Sequence, residues 1–375
     1  MNAPAIDFCE LAVPGVRHLQ AYQPGKPIDE LQRELGITEV IKLASNENPF
    51  GPSPLALAAL QAQLHELARY PDGNGFILKQ ALAKKFAVQT NQITLGNGSN
   101  DILEFVARAF VQTGDEVIFS QHAFAVYPLV TQAVGGKAVI IPANIYAHDL
   151  PAITKAITTR TRVIFIANPN NPTGTWFDGA ALEYFLASVP ANVIVVLDEA
   201  YFEYARHPAM NATGYPDGMQ YLSRFANLIV TRTFSKAYGL AGLRVGYSLA
   251  NAQIADLLNR VRQPFNVNSL ALHAATAALT DQRHIQQCLE HNSKAMRLFE
   301  QTLKDRGLSY IPSAGNFIAI DMGQPAAPIY EALLRQGVIV RPVANYGMPQ
   351  YLRITLGTEQ ENARFFAALA TVLAA

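Results

Sequence analysis

Charge of either sign is scarce in this chain. Only 15% of its 375 residues are Asp, Glu, Lys or Arg, against roughly 25% in an average soluble domain. The 29 basic residues balance the 29 acidic ones. That balance excludes a basic nucleic-acid surface and an acidic tail, and 50% hydrophobic residues exclude a disordered chain. A neutral, charge-poor chain must stay soluble by a large core or by an interface that hides apolar surface. Cysteine is nearly missing too. Cys9 and Cys288 cannot form a disulfide framework in a chain this long, so a reducing compartment is expected. No apolar run approaches the ~18 residues of a membrane helix. Asp7 and Glu10 stand where a signal peptide needs its apolar stretch. These absences predict a cytoplasmic chain with neither a membrane nor a nucleic-acid partner. Its eight histidines show no H-E-x-x-H and no cysteine partner at ligand spacing, so no metal site is expected. There is no G-x-S-x-G. Gly96-Asn97-Gly98 lacks the third glycine of the dinucleotide fingerprint, which disfavours nicotinamide chemistry.

What is present is alternation. The length predicts two domains. Residues 1–40, with Pro14, Gly15, Pro24, Gly25 and Pro27, read as an arm followed by a short helix. Apolar, β-branched runs at 93–95, 116–120, 138–142, 162–167, 192–197, 227–231 and 244–248 alternate with helical patterns. Near-continuous apolar runs suit strands buried on both faces, so a largely parallel sheet in an α/β layer is expected. A smaller α+β unit follows a boundary near 262–268. It has helices at 269–280 and 282–306, strands at 316–321, 338–341 and 351–355, and a capping box from Thr358 to Glu361 that opens a last helix.

Open α/β sheets bind ligands beyond the carboxyl ends of their strands. After the first run comes Gly96-Asn97-Gly98-Ser99-Asn100-Asp101. Small residues opening a helix can bind an anion, or simply form a turn with a Ser or Asn cap. After the fourth comes Asn168-Pro169-Asn170-Asn171-Pro172-Thr173-Gly174, a dense turn or a ligand loop. After the fifth comes Asp198-Glu199-Ala200-Tyr201. Asp198 either caps the next helix or faces a buried cation, with Tyr201 one turn further on the same side. After the sixth comes Thr233-Phe234-Ser235-Lys236-Ala237-Tyr238-Gly239-Leu240-Ala241-Gly242. A lysine among small and apolar residues is desolvated, and its neutral amine can form a Schiff base. A helix-start anion site, a post-strand Asp and a post-strand Lys together are what pyridoxal phosphate needs: an amine for its aldehyde, and an acid that keeps its pyridine nitrogen protonated.

With these motifs the sequence resembles the fold-type-I, class-II aminotransferases over nearly its whole length, from Tyr22 to Thr358. The stretch from Thr233 to Gly242 is similar to that family's lysine signature, and Asn171-Pro172-Thr173-Gly174, Asp198-Glu199-Ala200-Tyr201 and Leu352-Arg353-Ile354-Thr355-Leu356-Gly357-Thr358 follow in its order. Ala44-Ser45-Asn46-Glu47-Asn48-Pro49 and Arg69-Tyr70-Pro71-Asp72 resemble the histidinol-phosphate branch and its near relatives. The resemblance implies a large pyridoxal-phosphate-binding domain (41–265) with a mostly parallel seven-stranded sheet flanked by helices, and a smaller α+β domain (266–375). It implies that Lys236 carries the cofactor and moves the proton, and that Asp198 pairs with the pyridine nitrogen. Asn171 and Tyr201 would bond the phenolic oxygen. Gly98, Ser99, Asn100, Ser235 and Arg244 would hold the phosphate. Tyr70 would reach that phosphate from the other subunit of a homodimer, to which the arm also contributes. Tyr22, Asn46, Arg341 and Arg353 would meet substrate. Phe124 stands where the family often has a tyrosine stacked on the ring; it keeps the π-face without the hydroxyl.

A guanidinium fork suits phosphate and carboxylate alike. The implied reaction moves an amino group between L-histidinol phosphate and 2-oxoglutarate, in histidine biosynthesis. An aromatic amino acid aminotransferase or a phosphothreonine decarboxylase would share the frame. A non-enzymatic pyridoxal-binding protein is disfavoured by the intact Lys, Asp and Arg set.

Overall fold

Runs that are apolar almost residue by residue become strands inside a seven-stranded sheet. A computed structural model describes residues 6–374. The first five residues of the expected arm, and Ala375, lie outside the described residues. Among the described residues, the arm carries three short helices, Phe8–Leu11, Pro14–Arg17 and Ile28–Leu35, where one was expected. Then follow β1 (Ile41–Lys42), β2 (Ile93–Gly96), β3 (Glu116–Ser120), β4 (Lys137–Ile141), β5 (Thr161–Ala167), β6 (Ile194–Asp198), β7 (Leu228–Thr233) and β8 (Gly246–Ala250). The large sheet has the order β2-β8-β7-β6-β5-β3-β4. Its strands are parallel except β8, which runs against both neighbours. The mostly parallel sheet expected from the alternation is thus present. The edge strand β4 departs from the two-faced burial expected of it: Lys137, Ala138 and Ile140 are exposed.

The later strands are β9 (Tyr310–Ile311), β10 (Phe317–Asp321), β11 (Val338–Ile339), β12 (Arg341–Pro342) and β13 (Tyr351–Thr355). The single strand expected at 338–341 is split. Its first half pairs in parallel with β1, and its second pairs antiparallel with β13, with Arg341 opposite Arg353. Pro342 has no N–H to donate, which confines β12 to the edge of the sheet β12-β13-β10-β9. The capping box forms as expected, Glu361 N donating to Thr358 Oγ1 and Thr358 N to Glu361 Oε2.

Two cores fix the site from either side. Leu78, Leu82, Phe234, Tyr238 and Tyr247 pack with Ala271, Leu272 and Ala275 of the helix Ser269–Ala278. Phe299, Leu303, Ile318, Leu352, Ile354 and Phe365 pack with Leu43, which follows β1. Among the described residues, no helix is long and apolar enough to cross a membrane.

Candidate active site

The carboxyl ends of β5, β6 and β7 open into one cavity of about 180 Å³, closed on the far side by β12, β13 and the arm. One end gathers donors that could hold an anion. The helix Ser99–Phe110 begins after Gly98 without a side-chain cap, so its first N–H groups stay free. Gly98 has φ +82°, and a Cβ there would come within 2.5 Å of Arg244 Nη2. A Cβ on Gly246 would press within 2.5 Å of Ser99 N. The two glycines therefore let backbone, guanidinium and strand close on one cup. Arg244 is itself in the left-handed region (φ +53°), and its Nη1 donates to Ser235 Oγ at 3.3 Å. Ser99, Asn100, Ser235 and Arg244 all line the cavity.

Lys236 follows β7 and is half-buried. Its Nζ donates to Ser45 O at 3.0 Å. Burial first, then the Arg353 guanidinium, push its pKa down to about 7. Asp198 ends β6, is buried, and accepts from Tyr127 Oη and Thr231 Oγ1, both at 3.0 Å. Burial pushes its acid up while those two hydroxyls pull it down. Tyr201 is pushed up to about 12 by burial, against the pull of Arg353 and Asn46, so it is a phenol at neutral pH. Asn46, held at φ +56°, donates from Nδ2 to Tyr201 Oη at 2.8 Å. This leaves the Tyr201 hydroxyl hydrogen to point elsewhere.

Arg353 lies on β13 and is buried. Its Nη1 and Nη2 donate to Asn171 Oδ1 and Ala44 O, while Nε has no partner. Such a buried orphan donor is costly unless a ligand meets it. Arg341 donates from Nη2 to Gln23 O at 2.7 Å and lies over the Tyr22 ring at 5.9 Å. It thereby draws the arm across the cavity mouth. Phe124 forms part of the wall.

Of the residues singled out from the sequence, Tyr22, Asn46, Ser99, Asn100, Phe124, Asn171, Asp198, Tyr201, Ser235, Lys236, Arg244, Arg341 and Arg353 line this one cavity, and Gly98 abuts it through Arg244. Tyr70 does not line it: its ring is 82% exposed and stacks on Phe265 at 4.8 Å. Sequence reading missed Thr233 and Tyr346, which also line the cavity, and Tyr127 and Thr231, which hold Asp198 from behind. Thr231 sits two residues before Thr233 on β7, on the same face, so strand alternation was the signal that could have found both. Among the described residues, no three His, Cys, Asp or Glu cluster to hold a metal.

Known proteins resemble this chain in sequence and fold. The family model for aminotransferase class I and II matches residues 38–369. Histidinol-phosphate aminotransferase 2 of Pseudomonas fluorescens is 61% identical over 370 residues, 98% of this chain and 99% of its own. The Pseudomonas aeruginosa protein of the same name is 60% identical at the same coverage. The solved histidinol-phosphate aminotransferase of Sinorhizobium meliloti, in complex with pyridoxal-5'-phosphate, is similar with a TM-score of 0.88 and 29% identity, covering 97% of each chain. A lysine, an acid and two arginines gathered at the strand ends of a fold shared over nearly the full length leave one conclusion: this chain belongs to the class I and II aminotransferases.

Proposed function

We propose that this chain transfers an amino group between L-histidinol phosphate and 2-oxoglutarate, giving imidazole acetol phosphate and glutamate, with pyridoxal 5'-phosphate as its cofactor. One observation carries the reading. A lysine amine with a pKa near neutrality, a buried carboxylate and an uncapped helix start share a single cavity with the two guanidiniums of Arg341 and Arg353. The names of the high-identity relatives support the substrate, and the complex seen in the similar structure supports the cofactor.

The residues fit that cofactor. Close-approach glycines, free N–H groups, Ser235 and Arg244 make a phosphate cup. Among the described residues, Asp198 is the only carboxylate lining the cavity. Bound there, the cofactor supplies an aldehyde that captures amines and a ring that withdraws electrons. Asp198 holds the proton on the ring nitrogen. Phe124, in the cavity wall, would give the cofactor ring an aromatic surface to rest on. Tyr201 Oη and Asn171 Nδ2 donate to the phenolic oxygen, Asn171 Oδ1 being already taken by Arg353. Lys236 Nζ would hold the cofactor and would be the base that takes up and returns the proton of the transfer. Arg353 and Arg341 take the phosphate of one substrate and a carboxylate of the other, with Tyr22 and Asn46 beside them. The unit is a cytoplasmic homodimer in which Tyr70 and the arm complete the partner's site.

A half-reaction panel tests this. Histidinol phosphate, phenylalanine, tyrosine and phosphothreonine are each mixed with the pyridoxal form, and its visible band is followed. Fast loss of the band with histidinol phosphate alone is expected. Faster conversion by phenylalanine or tyrosine moves the assignment to aromatic substrates. Carbon dioxide release from phosphothreonine moves it to decarboxylation.

A further inference from the structure

Asp198 takes two hydroxyl donors that the scheme above leaves without a task. Tyr127, in the helix Val126–Ala133, is fully buried and does not line the cavity. Its ring stacks on Phe165 of β5 at 4.8 Å and 9° and meets Phe124 edge-on at 5.9 Å and 86°. Thr131 Oγ1 donates to its carbonyl at 2.7 Å. A ring pinned this way places its hydroxyl at one point, and that point is 3.0 Å from Asp198 Oδ2. Thr231 Oγ1 takes the other oxygen, Oδ1. One side chain therefore touches both the acid assigned to the ring nitrogen and the aromatic assigned to the ring face.

We propose that Tyr127 is a positioning residue of the amino-transfer reaction, which fixes the Asp198 carboxylate in its ionised, aligned form and seats Phe124 in the same stroke. The proposal rests on the pyridoxal reading above. Its physics is simple. A carboxylate at the end of a buried strand resists ionisation, and hydrogen bonds to the charged form oppose that resistance. Burial drives the Tyr127 phenol itself well above its usual range, so it remains a donor at every working pH. The other groups facing Asp198 are Thr231, the Ala200 N–H, Lys236 and Tyr201. Glu199, next along the chain, is instead paired with Arg232.

The test uses the reconstituted holoenzyme and the variants Tyr127→Phe, Thr231→Val and Tyr127→Leu. The readouts are the acid limb of the visible cofactor band, the cofactor dissociation constant, kcat and KM. Tyr127→Phe keeps the ring contacts and removes one donor. Its acid limb is expected to move up by about one pH unit, and cofactor affinity and kcat each to fall about tenfold, or about 1.4 kcal/mol. KM is expected to stay within about twofold, since substrate meets other residues. Thr231→Val shifts the limb the same way. Tyr127→Leu, which also unseats Phe124, loses more. A Tyr127→Phe enzyme with wild-type limb and affinity overturns the proposal, because packing alone then accounts for the residue. If Tyr127→Phe fails to fold, an unshifted limb in Thr231→Val overturns it instead. A wild-type protein that takes up no pyridoxal phosphate fails the underlying reading, and that outcome is visible before any variant is made.

Discussion

Lys236 shows how one residue's surroundings set its chemistry. An exposed lysine stays protonated until about pH 10. Here burial and Arg353 bring the pKa to about 7, so the amine is largely neutral in mildly alkaline solution. Only the neutral amine attacks an aldehyde. Uptake of pyridoxal phosphate by the apoenzyme should therefore accelerate as pH rises through about 7 and level off above it. Stopped-flow absorbance measures this, and a rate still climbing toward pH 10 would mean that the lysine is solvated. Lys236→Ala should bind cofactor weakly and lose at least about 10⁴-fold in turnover, the scale of removing one member of a catalytic unit. Arg353→Ala tests the orphaned Nε differently. It should slow both half-reactions, because one guanidinium is assigned to phosphate and carboxylate alike, whereas a loss confined to one amino donor would separate the two subsites.

Elements carry the next layer. The loop after Lys236 lies against the segment after β1: Asn48 Nδ2 donates to Ala237 O at 2.8 Å. Gly239, at φ +69°, would put a Cβ 2.1 Å from Gly51 O. Gly239→Ala should cost about 1–3 kcal/mol from strain alone and lower the melting temperature by several degrees. Gly242→Ala, where a Cβ would meet nothing within 4 Å, should leave it unchanged; calorimetry on the pair separates close approach from general intolerance of the loop. The strands of the large sheet were legible because continuous apolar runs have few alternatives, and Asp198 and Lys236 drew notice because one closes such a run and the other follows within a few residues of one. The split at Val340 was not, since which partner a short strand takes depends on β1, some 300 residues away in the chain. Tyr127 was not either: in sequence it is one aromatic in an apolar helix, and only the meeting of that helix with β5 and β6 gives its hydroxyl an address.

At the scale of the whole molecule, the scarcity of charge is matched by exposed apolar side chains on one stretch of chain. Leu64, Leu67, Tyr70 and Phe76 stand exposed along one stretch of chain, with Phe265 against Tyr70. Exposed apolar side chains close together in the chain suit an interaction surface. The proposal that a second copy covers it, with Tyr70 completing the partner's site, can be tested by mixing two defects. A Lys236→Ala subunit keeps Tyr70; a Tyr70→Ala subunit keeps Lys236. If Tyr70 serves the partner, a mixed dimer has one site carrying both defects and one carrying neither. Tagged mixed dimers, purified by sequential affinity steps, should then regain about half the wild-type turnover per dimer, while the Lys236→Ala homodimer stays inactive and the Tyr70→Ala homodimer binds pyridoxal phosphate weakly. If Tyr70 serves its own subunit, no site in the mixed dimer is intact, and its Lys236-bearing site should show the same weakened cofactor binding as the Tyr70→Ala homodimer. A chain that sediments as a monomer at micromolar concentration would remove the shared site altogether, and would leave Tyr70 as a surface ring stacked on Phe265.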